Sequence, residues 1–432
     1  MFVFTRYFVG VTVIVMFGLG AANAASPPVT RPSIEVRTRS ASAASPAYTI
    51  TDVGMPPSQI YVSSAPIGFN NTGQIYGMAD RKAKDDPTVG HVDASCLIWT
   101  GAKYVDLTPS LMVKACTTYS MNSADATAGS YTVVGSFQDI HHDETDAFAS
   151  HVDSAGNAKL VPYYDHFPAA LYGVNSKGTA IGYSFSPFGY TYKIEPIFVT
   201  KPPELLTLLQ PDCAMAANSC LEPLQISQTH LLDREPTPQC AFGGCTINDG
   251  GTVLGTSNDG MELYQVGVPS SLRALPPNFD PGYGPIYFIA LNDADQLLYF
   301  KKDFYAAGEP VNAKILNVAD GHVTVIPPVP GTSCHNYFPI SINNAGEVLG
   351  FTSYCTRRAF YWTWDPQNGT QNLSAALPPN TYTIRPLGIN DNAQILVALE
   401  TPAGLTHWGT LDPLTKTGSS HARNSKDARH AR

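Results

Sequence analysis

The chain has 432 residues, of which 44% are hydrophobic and only 14% charged, with 35 Gly, 35 Pro, 22 Tyr and a formal net charge of −9. The acid excess argues against a nucleic-acid partner, which has to be held by phosphate-neutralising lysines and arginines. Abundant turn formers and few charges point to an all-β globular fold.

At the amino terminus Arg6 precedes an apolar run from Tyr7 to Gly20 that leads into Ala22-Asn23-Ala24. This is the pattern of a secretory signal with an A-x-A cleavage site, so residues 1–24 are expected to be removed after Ala24. The run is about 14 residues long, short of the roughly 20 that span a bilayer. No other stretch is apolar enough to cross, and an integral membrane protein is not expected. Residues 25–46 are rich in Ser, Ala and Pro without apolar periodicity and read as a flexible linker.

From Tyr48 onward one phrase, roughly Gly-Ile-Asn-Asn-x-Gly-Gln-Val-Val-Gly, recurs seven times, beginning with Gly68 to Gly77. Its third position is always asparagine: Asn70, Asn122, Asn175, Asn248, Asn292, Asn343 and Asn390. Successive intervals are 52, 53, 73, 44, 51 and 47 residues, in the range of propeller blades. Asn-Asn-x-Gly supplies residues that tolerate positive φ, so each phrase predicts a hairpin with the asparagines as structural turn residues. The fourth turn position is Gly73, Gly178, Gly251 or Gly346 in four copies and Asp125 or Asp295 in two, all compatible with a left-handed backbone. Ala393 in the last copy is not, and it predicts a different turn.

Each hairpin is followed by an apolar-aromatic segment, such as Cys96 to Trp99 or Ala359 to Trp362, and then by a second short strand, such as Tyr104 to Leu107. Four strands per repeat make one blade, and blades bury both faces only by packing around a ring. The seventh repeat stops after its third strand, at His407 to Leu411, while an unmatched strand, Tyr48 to Val53, precedes the first hairpin. The expectation is therefore a seven-bladed β-propeller over residues 47–412, closed by its N-terminal strand and free of exposed edges. Residues 202–244 read as an insertion, and residues 413–432 as a flexible basic tail carrying Lys416, Arg423, Lys426, Arg429 and Arg432.

The phrase resembles the extracellular HAF repeats of bacteria, whose units carry Gly-Ile-Asn-Asn-x-Gly-Gln followed by an Ala-Phe-Leu-Trp-like strand. Gly68 to Gly77, Ser341 to Gly350 and Ala359 to Trp362 match best, and coverage runs from about Tyr48 to Leu411. The resemblance implies a secreted or periplasmic bacterial protein. It transfers no catalytic residue, because its motif describes turns and packing positions.

The eight cysteines, an even number in an exported chain, are read as disulfides. Eight cysteines allow 105 connectivities, and proximity in sequence suggests Cys96 with Cys116, Cys213 with Cys220, Cys240 with Cys245, and Cys334 with Cys355. No C-x-x-C spacing is present, and His141-His142-Asp143-Glu144 with Asp146 and His151 lacks a zinc spacing, so neither a metal nor a cofactor is expected. Asp85-Asp86 reads as surface charge. No nucleophile elbow, phosphate loop or dinucleotide fingerprint occurs.

If the Gly-Ile strand is innermost, the uniform turns share one face and the variable connections share the other, where recognition on rigid β scaffolds tends to sit. Tyr163, Tyr164, Phe167, Tyr283 and Tyr287 fall on those connections, and flat aromatic faces suit sugar rings or peptide segments. The expected function is a non-catalytic binding or interaction module whose partner is a cell-surface glycan or protein. The alternative is a propeller hydrolase or lyase acting on polysaccharide.

Overall fold

The computed structural model describes residues 34–35, 47–81, 94–108, 113–123, 129–139, 145–163, 169–188, 191–199, 207–208, 222–223, 247–257, 260–266, 273–276, 286–301, 311–334, 336–353, 359–378 and 381–414. These residues form seven antiparallel sheets. Among them there is no α-helix, and so none long and apolar enough to cross a membrane.

Sheet 1 orders Tyr61–Phe69, Ile75–Arg81, Ala94–Trp99 and Tyr104–Asp106. Sheet 2 follows with Val113–Met121, Tyr131–Asp139, Thr145–Val152 and Ala158–Tyr163, and sheet 3 with Ala169–Val174, Ala180–Phe188, Thr191–Val199 and Thr207–Leu208. Sheet 4 contains Glu222–Pro223, Thr252–Ser257, Gly260–Gln265 and Arg273–Ala274, and sheet 5 contains Ile286–Leu291, Gln296–Lys301, Ala313–Asn317 and Val323–Val325. Sheet 6 runs through Asn336–Ile342, Val348–Ser353, Tyr361–Asp365 and Gly369–Asn372. Sheet 7 has five strands, in the order Ile34–Glu35, Thr383–Ile389, Ile395–Glu400, Thr406–Pro413 and Tyr48–Gly54. The strand Tyr48–Gly54 thus pairs with the last described strand, from Tyr48 opposite Pro413 to Gly54 opposite Trp408.

Six apolar clusters form the core among the described residues, and each joins neighbouring sheets. Phe338, Leu349 and Tyr361 of sheet 6 pack with Ile384, Ile395 and Val397 of sheet 7. Leu387, Leu396 and Trp408 of sheet 7 pack with Phe69, Ile75 and Leu97 of sheet 1. A sheet buries both faces only because it has a neighbour on each side. Trp408 is fully buried, a position where truncation to alanine costs about 3–5 kcal/mol.

The repeated asparagines explain the repeat. In each turn the Asn side-chain oxygen accepts a backbone N–H within its own hairpin, such as Gln74 N–H to Asn70 and Gln394 N–H to Asn390, both 3.0 Å. The Nδ2 donates to the main-chain carbonyl of the corresponding Asn in the next sheet. The series runs Asn70 to Asn122, Asn122 to Asn175, Asn175 to Asn248, Asn248 to Asn292, Asn292 to Asn343, Asn343 to Asn390 and Asn390 to Asn70, at 2.8–3.2 Å. All seven asparagines are buried. Aspartate has the acceptor without the donor, and serine reaches neither partner in this way, so the position needs an amide.

Ala393 departs from expectation. Its φ is +57°, and its N–H donates to the Asn390 carbonyl at 3.0 Å, so it makes the same turn as Gly346. The surrounding hydrogen bonds impose the left-handed conformation on a residue that disfavours it by roughly 1–2 kcal/mol. The glycine ending the phrase has a different reason. A Cβ on Gly350 would lie 2.1 Å from the Trp362 ring and 2.5 Å from the Phe338 carbonyl oxygen, so only hydrogen fits.

Two readings of the chain's irregular parts change. Residues 25–46 are not wholly a free linker, since Ile34–Glu35 add a strand to sheet 7. The stretch 202–244 is not wholly an insertion, since Thr207–Leu208 and Glu222–Pro223 belong to sheets 3 and 4. In the other six sheets the inner strand has a bulge shortly before its asparagine, as between Pro386 and Gly388 or Pro339 and Ser341. In sheet 4 Pro223 pairs with Gly255 and Ile247 with Val253, the register positions of Pro386 and Ile389 in sheet 7, so the stretch between Pro223 and Ile247 in the sequence replaces the one between Pro386 and Ile389. That is 23 residues in place of two, and removing the 21 extra from the interval of 73 leaves 52, within the 44–53 of the other repeats. Both ends of the extra segment therefore lie on an inner strand beside the Asn248 turn, not in a connection of the variable face.

Candidate functional site

Antiparallel order separates two faces. The asparagine turns, brought together by their mutual hydrogen bonds, form one; the connections between second and third strands and between sheets lie at the opposite strand ends.

On the turn face the residues after six of the seven asparagines build a second, outer set of contacts. Ser176 N–H donates to Asp249, Asp249 N–H to Asp293, Asp293 N–H to Asn344, Asn344 N–H to Asp391 and Asp391 N–H to Asn71, at 2.5–2.9 Å. Asn344 Nδ2 bridges the Asp293 and Asp391 carboxylates at 2.5 and 2.9 Å. Asp293 reaches water, yet the neighbouring turns crowd it. Desolvation, helped by the nearby Asp249 and Asp391 charges, pushes its carboxyl up to about 6 against the donated hydrogen bonds. These side chains are engaged with one another across neighbouring sheets.

The variable face has a polar cluster at the junction of sheets 7 and 1. Asp52, on the N-terminal strand, accepts from His407 Nδ1 at 2.9 Å, Tyr382 Oη at 2.8 Å and Gly54 N–H at 2.7 Å. Burial pushes the Asp52 carboxyl up, but the bonds from His407, Tyr382 and Gly54 outweigh it and hold the acid below its ordinary value. A carboxylate can only accept, so the shared proton lies on the His407 Nδ1. Tyr104 links this cluster to sheet 1, donating to the Gly54 carbonyl at 3.0 Å and meeting Trp408 edge-on at 5.2 Å. There Asp106 accepts from Tyr61 Oη and Arg81 Nη2, both at 2.5 Å. Ile60, Val62 and Leu405, on the same face of these two sheets, are 48%, 53% and 46% exposed. Neither the His407 pair nor this apolar group was picked out from sequence. Their residues lie far apart in the chain and carry no motif.

The residues chosen from sequence fare differently. Tyr164, Phe167 and Tyr283 lie outside the described residues, as does the side chain of Tyr163, whose backbone ends a strand of sheet 2. Tyr287 is 7% exposed and stacks on Phe300 at 4.7 Å, and burial raises its phenol to about 12. That is a packing position, which leaves its ring no free face for a sugar. Cys96 and Cys116 form the expected disulfide, joining sheets 1 and 2 with Cα atoms 5.3 Å apart. Cys334 is also disulfide-bonded, and Cys355, its expected partner, lies outside the described residues with Cys213, Cys220, Cys240 and Cys245. His151 is exposed on a strand and Asp146 is buried, while His141 to Glu144 and Asp85-Asp86 are not described. Among the described residues no group of three His, Cys, Asp or Glu is placed to hold a metal.

No family model matches the sequence, and no curated protein does. Solved structures that are similar include the β-propeller domain of the Trilobed protease from Pyrococcus furiosus, with 8% identity, a TM-score of 0.44, and coverage of 83% of this chain and 100% of that one. An oligogalacturonate lyase in complex with manganese has 12% identity and a TM-score of 0.48, covering 86% and 97%. A GH74 enzyme from Niastella koreensis has 11% identity and a TM-score of 0.40, covering 84% of this chain and 55% of that one. The chain spans little more than half of the last. Likenesses this distant transfer no activity.

Proposed function

We propose that this chain is an exported, closed seven-bladed propeller of the HAF-repeat kind, and that its variable face binds carbohydrate or peptide at the cell surface. The seven sheets are the blades, and the strand from Tyr48 to Gly54 completes the last of them. The cycle of asparagine hydrogen bonds, which returns from Asn390 to Asn70, supports closure, and the Cys96–Cys116 disulfide supports an oxidising compartment.

The observation that carries the recognition reading is the asymmetry of the faces. On the turn face polar groups satisfy one another between neighbouring sheets. On the variable face Ile60, Val62 and Leu405 remain exposed, and the strand ends of that face also carry Tyr382 and His407, both bonded to Asp52. Apolar side chains next to directed polar groups are what sugar rings and extended peptides require. A glycan and peptidoglycan binding screen on the exported protein tests this. Replacing Ile60 and Val62 by serine should weaken any ligand found by about tenfold, the loss of two apolar contacts, whereas Asn344→Ala should leave affinity unchanged. Loss confined to Asn344→Ala would place recognition on the wrong face.

A second reading, a hydrolase or lyase acting on polysaccharide, is favoured by Asp52 and His407. A histidine held through Nδ1 by a carboxylate presents Nε2 as a general base. Product release from polysaccharides, abolished by His407→Asn with binding intact, would establish this reading over simple binding.

A further inference from the structure

Sheet 7 differs from the other six at its inner edge. In sheets 1 to 6 the described strands end with the inner one, which runs toward the asparagine turn. In sheet 7 the inner strand Thr383–Ile389 is itself paired, antiparallel, by Ile34–Glu35, in the register Ile34 opposite Ile384 and Glu35 opposite Thr383. The contact lies at the variable-face end of the strand, directly after Tyr382. An inner edge presents unpaired N–H and C=O groups, which any extended chain with free amides can satisfy.

From this pairing we propose that the inner edge of sheet 7 at Thr383–Ile384 is a strand-addition site for an extended peptide, held in cis by the chain's own segment at Ile34–Glu35. The proposal rests on the reading of the variable face as the recognition face and narrows its ligand there to peptide. The pairing is main-chain and two residues long, so it is weak by itself and tolerant of sequence. Eleven residues separate Glu35 from Ala47, whose N–H donates to the Ala376 carbonyl at 2.9 Å. Such a tether extends to about 40 Å, enough to cross a five-stranded sheet of roughly 20 Å. It holds the segment at an effective concentration on the order of millimolar. A weak strand is then retained in cis, and a competing peptide has to outbid that concentration.

The test compares the exported chain with a variant lacking residues 25–40, which keeps the strand Tyr48–Gly54. The probe is a labelled peptide of residues 30–39, read by fluorescence anisotropy beside the same peptide N-methylated at Ile34 and Glu35. Charge is identical in the two probes, so the comparison isolates main-chain pairing. The variant should keep its melting temperature within a few degrees and bind the unmodified peptide at least tenfold more tightly than the full chain does. Methylation should remove that binding. Equal binding by both proteins, equal binding of both peptides, or no binding to a folded variant would overturn the proposal. The glycan and peptidoglycan screen, run on the same variant, separates the two ideas. A ligand lost with the Ile60 and Val62 changes upholds the variable face even where the peptide result is negative.

Discussion

Asn390 donates from Nδ2 to the main-chain carbonyl of Asn70 at 3.1 Å across 320 residues of sequence. One side chain thereby ties the last asparagine turn to the first, while its own oxygen orders the Asn390 turn through Asn392 and Gln394. Asn390→Asp separates these roles, keeping the acceptor and removing the donor. It should cost about 2–4 kcal/mol, because a buried carbonyl loses its partner and faces a carboxylate. Denaturant unfolding measures this, and a cost under 0.5 kcal/mol would mean that the inter-sheet bond contributes nothing.

Ala393 tests the turn geometry in the opposite direction. Its φ of +57° matches the glycines of the other turns, so Ala393→Gly should raise stability by about 1 kcal/mol. Thermal unfolding should show a rise of a few degrees, and a fall would show that the Ala393 methyl makes contacts worth more than the strain.

Much of this architecture is legible in the sequence. Seven asparagines at a period near 50 gave the repeat, and the orphan strand at Tyr48 pointed to its partner at Trp408. What was hidden is long-range. Why the third position is asparagine depends on a carbonyl in another repeat, which no local pattern reveals. The bounds of the inserted segment depended on register, because Glu222–Pro223 is too short to read as a strand. Tyr287 illustrates the limit of composition, since an aromatic in a connection and one at the start of a buried strand look alike until packing separates them.

The crowded carboxylate on the turn face predicts a pH dependence. The folded-state pKa of Asp293 is raised to about 6, so the native state binds more protons than the unfolded state between that value and the ordinary aspartate pKa. Stability should therefore rise as pH falls from 7 toward 5. Asp293→Asn removes the titration while keeping an oxygen for the Asp249 N–H. The difference in melting temperature between pH 5 and pH 7.5 should shrink in this variant, and an unchanged difference would assign the effect to other groups.

Cys96 and Cys116 close a loop across two sheets with a sequence separation of 20. Replacing both with alanine should destabilise the folded protein by about 3 kcal/mol. Urea midpoints in oxidised and reduced buffer check this: the parent should shift on reduction, and the double variant should shift less.

The central claim is that the chain closes on itself through its N-terminal strand. The most direct measurement compares two truncations, one beginning at Ala47 and one beginning at Gly54, by melting temperature and by light scattering. The account predicts that the first remains a folded monomer. The second should lose the Tyr48–Val53 pairing and the Asp52 contacts to His407 and Tyr382, expose the edge of Thr406–Pro413, and melt many degrees lower or aggregate. A shorter protein that stays monomeric with an unchanged melting temperature would contradict the closed ring.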